Sequence, residues 1–154
     1  MERVMGQSLA KNLIHLIYST KDRHAFLDEA VHEELHRYSA GILANLDSPA
    51  LLIGSVADHI HVLFNLHRTK ALADVVMEVK RGSSKWLKTK GGRLADFAWQ
   101  NGYGAFSVSQ SSVPQVRDYI LAQPDHHKRT SFQDEIRAFL RRYEIEFDEQ
   151  YVWD

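Results

Sequence analysis

Residues 56–64 read Val56-Ala57-Asp58-His59-Ile60-His61-Val62-Leu63-Phe64, an apolar run that carries two histidines. In a β-strand, side chains alternate between the two faces, so His59 and His61 project from the same side, about 6.5 to 7 Å apart along the strand. The intervening apolar side chains point the other way, toward a core. The stretch therefore predicts a strand with an apolar back and a front on which two imidazoles can bind one cation. Taken alone, such a pair is more often two ordinary strand histidines than a metal site.

The flanking sequence predicts three more strands and two helices. Residues 50–55 and 59–66 form a hairpin around the polar tip 56–58. A first strand spans Leu9 to Ser19, and an amphipathic helix follows from the N-cap Asp28 to about Leu46. Thr69 caps a second amphipathic helix that ends at Gly91-Gly92, and a bent fourth strand lies between Phe97 and Val108.

The predicted order is β-α-β-β-α-β, which is the split βαβ arrangement of ferredoxin-like folds. We therefore expect an α+β fold in which two helices cover one face of a four-stranded antiparallel sheet. The histidines lie on the other face, which we expect to be exposed. Two further helices follow, one opened by a capping box at Ser112 with Pro114 in its first turn and one opened by Ser131.

Length and composition predict one domain over residues 1–154, with a core at about 8–109 and C-terminal helices and an ordered tail at about 110–154. The absence of cysteine excludes thiolate metal sites and fits a cytoplasmic protein. No apolar run is long enough for a membrane helix, and residues 1–7 are too polar for an export leader. We expect a soluble, unexported protein.

The charge distribution is uneven, although the net charge is only -1. Between Arg68 and Arg93 there are eight basic residues against two acidic ones, a local charge of +6 that leaves -7 elsewhere. This region either faces phosphates or is a solvated helix face. Its central basic residues flank the second predicted helix at Lys80, Arg81, Lys85 and Lys88.

A second pair of polar residues lies in the Ser112 helix. Tyr119 and Gln123 are four residues apart, so on one helix they share a face about one turn from each other. From there, the tyrosine can attack a substrate while the glutamine binds the same metal as the histidines. The alternative is a packed aromatic side chain with a solvated hydroxyl.

Five blocks of the chain, in this order, resemble the HUH single-strand DNA transposases with one catalytic tyrosine. These occur in small bacterial insertion sequences and in relatives associated with repetitive extragenic palindromes. The resemblance covers nearly the whole chain and rests on Asp58-His-Ile-His-Val-Leu63, Lys80-Arg-Gly-Ser-Ser-Lys-Trp86, residues 97–109, Tyr119-Ile-Leu-Ala-Gln-Pro-Asp-His-His127 and Ser131-Phe-Gln-Asp-Glu135. Pro124 replaces the more usual acidic residue, which calls the local helix geometry into question but not the Tyr–Gln spacing.

The resemblance implies that His59, His61 and Gln123 hold one divalent cation, Mg²⁺ or Mn²⁺, whose shell is completed by water or phosphate oxygen. Tyr119 then attacks the scissile phosphate and forms a 5′-phosphotyrosine link and a free 3′-hydroxyl, without ATP. Which group deprotonates the tyrosine is not apparent from the sequence. The resemblance also implies a bacterial cytoplasmic homodimer acting on single-stranded DNA.

The same resemblance implies that the protein recognises DNA hairpins near element ends. The predicted contacts come from the second helix, with a tryptophan available for base stacking. The candidate residues are Lys80, Arg81, Lys85, Trp86 or Trp99, and Lys88.

Two alternative functions remain open. One is a domesticated hairpin-binding or nicking protein that no longer mobilises an element. The other is a histidine-triad nucleotide hydrolase, although its third alternating position is Leu63 here. We assign no role to His15, and we interpret His126 and His127 as surface residues or residues near phosphate.

Overall fold

The computed structural model describes residues 6–154. Its centre is a four-stranded antiparallel sheet in the order β2-β3-β1-β4, formed by β1 (Leu13–Ser19), β2 (Ala50–Ser55), β3 (His59–Asn65) and β4 (Gly104–Val108). The α+β fold and the β2–β3 hairpin are confirmed. The expected absence of an export leader concerns residues 1–7, of which 1–5 lie outside the described residues.

Two long helices, α1 (Glu29–Asn45) and α2 (Leu72–Lys88), cover the first face of the sheet. Strand β3 contributes Ile60, Val62 and Phe64 to this layer, and all three are fully buried in the main apolar cluster. Helix α2 presents an apolar stripe to the same cluster, with Val75, Val76, Val79 and Leu87 all buried. The period of two in the strand and of 3.6 in the helix thus produce a single apolar layer.

The second face is covered by three shorter helices: α3 (Val113–Leu121), α4 (Gln123–His127) and α5 (Phe132–Arg142). Helix α5 places Phe132, Ile136 and Leu140 against β1 and β4, and the chain end adds side chains from its last eight residues. The expectation of an exposed face is therefore wrong, because His59 and His61 are fully buried beneath these helices. The sequence places the histidines on the correct face but does not show what covers it.

Helix α3 approaches the sheet most closely at Gly54 of β2. A β-carbon at this position would lie 2.6 Å from the Ile120 methyl group and 3.2 Å from the Ile120 carbonyl oxygen, so only glycine allows this contact. Gly54 is the registered partner of His61 on the neighbouring strand. The lack of a side chain at Gly54, the glycine notch of β2, therefore lets α3 pack close to His61.

Several predicted element boundaries shift for identifiable reasons. Strand β1 begins at Leu13, not Leu9, because its partner β3 ends at Asn65, opposite Leu13. Thr69 does not cap α2, since its hydroxyl is engaged with His67 and the N-cap is Ala71. The predicted bend before β4 is present, and the strand itself is confined to Gly104–Val108.

The helix caps of the C-terminal half differ from each other. Ser112 makes no capping hydrogen bond, because it lies in a 3-10 turn with helical backbone angles and its hydroxyl accepts from Ser109. Ser131 caps α5 as predicted, accepting from the backbone N–H of Asp134 at 3.2 Å. The tail is ordered as expected, and Trp153 packs against the α5 cluster. Within residues 6–154, no helix is both long and apolar enough to cross a membrane.

Candidate active site

Different groups contact the Nδ1 atoms of the two β3 histidines, His59 and His61. The Nδ1 atom of His59 lies 2.7 Å from the Asp58 carboxylate, and the Nδ1 atom of His61 lies 2.9 Å from Nε2 of the buried His15. A ring nitrogen that donates to a supporting group leaves its other nitrogen free to bind a ligand. Both Nε2 atoms then face one space beneath α5. His15, to which the sequence assigned no role, thus supports His61.

A carboxylate from α5 faces both imidazoles. The Oε1 atom of Glu135 lies 3.0 Å from His61 Nε2, and its Oε2 atom lies 3.3 Å from His59 Nε2. The family resemblance includes Glu135 in the block Ser131-Phe-Gln-Asp-Glu135 but implies no function for it. One sequence signal was available: Glu135 falls on the apolar stripe of an amphipathic helix, between Phe132 and Ile136. A carboxylate in such a position needs a buried partner.

Tyr119 reaches the same carboxylate from α3. Its hydroxyl donates a hydrogen bond to Glu135 Oε1, and its ring is half-buried among four others. The ring of Tyr119 lies 5.7 Å from that of His61 and 5.4 Å from that of His126. The predicted nucleophile and the predicted metal ligands therefore meet within a single chain.

Gln123 completes the cluster, but from a separate helix. The chain turns at Ala122, so Tyr119 lies in the last turn of α3 and Gln123 is the first residue of α4. The prediction of a single helix for both residues is therefore wrong. Pro124 explains the break, because it has no N–H and so cannot continue the hydrogen-bond ladder of α3, whereas proline is tolerated in the first turn of α4. Gln123 is fully buried, and its Nε2 atom donates to Glu135 at 3.0 Å. Its Oε1 atom lies 3.1 Å from His59 Nε2.

The buried charges shift one another's pKa values. Burial would lower the pKa of His59, but hydrogen bonds to Asp58 and Glu135 outweigh it and raise that pKa to about 9. Burial lowers the pKa of His61. Burial alone would raise the pKa of Glu135, yet the two histidines hold it well below its usual range. Burial and the charge of Glu135 both raise the pKa of Tyr119, so the phenol is protonated.

The polar atoms of the site fit a divalent cation. Among the described residues, the buried atoms His61 Nε2 and Glu135 Oε2 form no well-aligned hydrogen bond, although they lie 3.0 Å from Glu135 Oε1 and 3.3 Å from His59 Nε2, so a cation could bind both. Ligand atoms of His59, His61 and Glu135 all lie within 4.8 Å of one another. Two imidazole nitrogens, a carboxylate and the amide oxygen of Gln123 form a mixed nitrogen and oxygen set suited to Mn²⁺ or Mg²⁺.

The adjacent histidines of α4 lie at the rim of the site. His126 packs against Tyr119, and the ring of His127 lies 5.2 Å from that of His59. His127 Nε2 is also 3.5 Å from the Asp58 carboxylate. The two side chains point to different neighbours, as expected for consecutive residues.

The basic residues predicted to contact DNA lie on α2, across the sheet from Tyr119. Lys80 donates to the carbonyl oxygens of Gln100, Asn101 and Gly102 at 2.6 to 3.0 Å, and burial lowers its pKa to about 8. Arg81 pairs with Glu78, whereas Lys85 and Lys88 are exposed. The structure therefore does not bring this group together with the tyrosine.

The two candidate stacking residues are both packed against other aromatic rings. Trp86 stacks on Tyr38 with their ring centroids 5.0 Å apart. Trp99 is buried against Tyr18 and Phe97, and its indole N–H donates to Ser83. Trp86 is thus the more accessible of the two.

Residues 8–123 match the family model described as "Transposase IS200 like". The chain belongs to the IS200-like transposase family. The match runs from before β1 to Gln123 and so includes both β3 histidines and Tyr119, whereas Glu135 lies beyond it. Membership makes the protein a transposase, a class of enzyme that cleaves DNA.

Two solved structures share the fold of this transposase. One is a candidate transposase from Deinococcus radiodurans R1, 23% identical, with a TM-score of 0.61, covering 80% of this chain and 98% of that one. The other is a REP-associated tyrosine transposase bound to a REP hairpin, 13% identical, with a TM-score of 0.60, covering 82% of this chain and 74% of that one. A comparison with curated proteins finds no significant match.

Proposed function

We propose that this transposase cleaves and rejoins single-stranded DNA through a covalent link between Tyr119 and a 5′-phosphate. The observation that supports this best is the shared carboxylate: Glu135 accepts the hydrogen bond of the Tyr119 hydroxyl and faces both His59 and His61. One buried group thereby joins a nucleophile to a set of metal ligands. A tyrosine placed only for packing would not need this partner.

In the proposed cleavage step, the Tyr119 oxygen, oriented by its hydrogen bond to Glu135, attacks the scissile phosphorus and its proton passes to solvent. The bond from phosphorus to the 3′-oxygen breaks, and that oxygen leaves as a hydroxyl after taking up a proton. The products are a 5′-phosphotyrosine and a free 3′-hydroxyl. Since one phosphoester replaces another, no ATP is consumed. Glu135 orients the Tyr119 hydroxyl, whereas the two histidines hold the pKa of Glu135 too low for it to act as an effective base.

His59, His61, Glu135 and Gln123 would hold the divalent cation, Mg²⁺ or Mn²⁺, which polarises the phosphate and stabilises its developing charge when bound. Asp58 and His15 orient the two imidazoles so that their Nε2 atoms face the site. Gln123 also holds the Glu135 carboxylate through its amide N–H. The α5 helix excludes water from this cluster.

The proposed DNA path passes beside Tyr119. A cavity of about 660 Å³ opens there, lined by His15, Ser109, Gln115, Tyr119, Arg142 and Tyr143 among others. Arg142 is exposed and, within residues 6–154, forms no ion pair, so it is available to a phosphate. This opening suits an unpaired strand, whose bases can stack on exposed aromatic rings.

We further propose that a DNA hairpin binds the basic flank of α2, chiefly at Lys85 and Lys88, with Arg81 and Trp86 beside them. The neighbour solved with a hairpin supports hairpin binding as the mode of recognition. Lys80 is a weaker candidate because its ammonium group is engaged by three carbonyl oxygens. We propose that a homodimer exchanges two hairpin-bearing DNA ends. Light scattering with and without DNA measures this oligomeric state.

A labelled-strand assay tests the chemistry. Purified protein with Mn²⁺ is incubated with single strands bearing candidate element ends, labelled at either terminus, and run on a denaturing gel. The 3′-labelled fragment should stay attached to the protein, and the 5′-labelled fragment should be released with a 3′-hydroxyl. Tyr119→Phe should lower adduct formation by at least about 10³-fold, since it removes the nucleophile.

Tyr151→Phe, in the exposed tail, serves as the matched control and should react like wild type. An adduct formed by Tyr119→Phe, or a 5′-labelled fragment attached to protein, contradicts the proposed mechanism. Adding a second strand with a free 3′-hydroxyl tests rejoining. Cleavage without rejoining would favour the alternative of a nicking protein that no longer mobilises DNA.

A further inference from the structure

A second histidine pair lies on α1, one helical turn apart. His32 and His36 have the i, i+4 spacing that places two side chains on one face of a helix. Both rings converge on the hydroxyl of Ser55: His36 Nε2 lies 2.6 Å from Ser55 Oγ, and His32 Nδ1 is in hydrogen-bond contact with the same oxygen. Their ring centroids are 6.2 Å apart.

This cluster is separate from the candidate active site. Ser55 is the last residue of β2, and its registered partner is Ile60, which faces α1 and α2. His59 and His61 alternate with Ile60 and therefore face α3 to α5 on the opposite side of the sheet. A ligand bound between α1 and Ser55 would not touch Tyr119.

The chemistry of the cluster favours a borderline metal ion. Two imidazole nitrogens pointing at one spot suit Zn²⁺, Ni²⁺ or Cu²⁺ better than Mg²⁺ or Ca²⁺. Burial lowers the pKa of His32 and lowers that of His36 to about 4, so both rings are neutral near pH 7. The charges of Glu29 and Glu33 act on His32 and His36 respectively and favour a cation between them.

We propose that His32 and His36 bind one transition-metal ion of the Zn²⁺ type, with the Ser55 hydroxyl and water as the remaining ligands. Each half-buried ring keeps one side open to solvent, which gives the ion a route of entry. The bound ion joins the first turns of α1 to the end of β2. It therefore stabilises the fold and plays no part in the cleavage step.

The test uses protein without a histidine tag, freed of metal by a chelator and titrated with Zn²⁺ by calorimetry. We expect the active-site cluster to bind a second Zn²⁺, so wild type should bind about two equivalents per chain, one more than a variant that lacks the α1 site. His36→Gln and His32→Gln should each bind about one. His67→Gln removes an exposed-loop histidine and should still bind about two. The proposal is wrong if either α1 variant binds as many equivalents as wild type.

A second measurement needs no substitution. Substoichiometric Ni²⁺ is added to ¹⁵N-labelled wild type, and the amide resonances are followed for paramagnetic broadening. We expect broadening around His32, His36 and Ser55 in addition to that around His59. Broadening confined to the surroundings of His59 and His61 would overturn the proposal and leave the Ser55 contacts as hydrogen bonds only. It would leave the proposed cleavage function unaffected.

Discussion

The two faces of the sheet are built from the same strands and have opposite character. On β3, Ile60, Val62 and Phe64 bury an apolar surface beneath two long helices, whereas His59 and His61 bury a polar cluster beneath three short ones. The first face stabilises the fold through the hydrophobic effect. The second face buries two imidazoles and the Glu135 carboxylate, whose ligand atoms all lie within 4.8 Å of one another. We infer that the first face contributes most of the stability of the fold, whereas the second face carries the chemistry.

The sharpest test of this contrast is Glu135→Gln on the second face. The amide keeps the size of the side chain but removes a charged metal ligand and the charged hydrogen-bond acceptor that orients Tyr119, so adduct formation should fall by about 10²- to 10⁴-fold. The measurement is the rate of adduct formation at saturating Mn²⁺. Asp134→Asn, the neighbouring carboxylate on α5, is the matched control. A variant that reacts at the wild-type rate would remove Glu135 from the mechanism.

Val62→Ala on the first face should do the reverse. Two methyl groups leave a fully buried position, so the free energy of unfolding should fall by about 2 kcal/mol. The rate of adduct formation by the folded fraction should stay near that of wild type. Urea unfolding and the labelled-strand assay, run at one temperature, measure both. If activity falls with stability intact, the two faces are not separable.

His15→Leu probes the support behind His61. Loss of the group that faces His61 Nδ1 should weaken Mn²⁺ binding about 10- to 100-fold, because supporting groups fix the ring orientation of metal-binding histidines. His15→Gln retains an acceptor oxygen and should restore part of the affinity. Titration calorimetry gives both dissociation constants. Equal affinity in the Leu and Gln variants would show that His15 acts only by filling space.

The smallest expected effect is on the stability of the metal-free protein. The pKa of His59 is raised from 6.5 to about 9 on folding, so its contribution is fully present below pH 6.5 and is lost as the pH rises through 9. From pH 7.5 to 8.5, the free energy of unfolding should fall by about 1 kcal/mol. Urea unfolding in a chelator measures it. Glu135→Gln should flatten this dependence, and a rise in stability over the same interval would contradict the assignment.

Local patterns in the sequence predicted most of the fold. The alternation of His59 to Phe64 located β3 and its faces, and the stripe of α2 located the first helical layer. Tyr119 was identified through the family resemblance. These features depend on residues close together in the chain or on blocks in a fixed order.

The remaining features depend on contacts between distant residues. Glu135 lies more than seventy residues from His61, and no spacing rule connects them. His15 reaches His61 only because β1 lies beside β3 in the sheet. The burial of the histidines likewise follows from how α5 docks, which depends on side chains along the whole second face. Strand alternation could place each of these residues on a face but could not pair them.

The glycine notch on β2 has a consequence for engineering this enzyme. Ile120 contacts Gly54 and is the residue next to Tyr119. The distance between Tyr119 and the two histidines therefore depends on the lack of a side chain at position 54. A larger residue at position 54 would increase this distance. Alanine or serine at this position would move α3 away from the sheet, and the rate of adduct formation could then be measured as a function of the Tyr119 position.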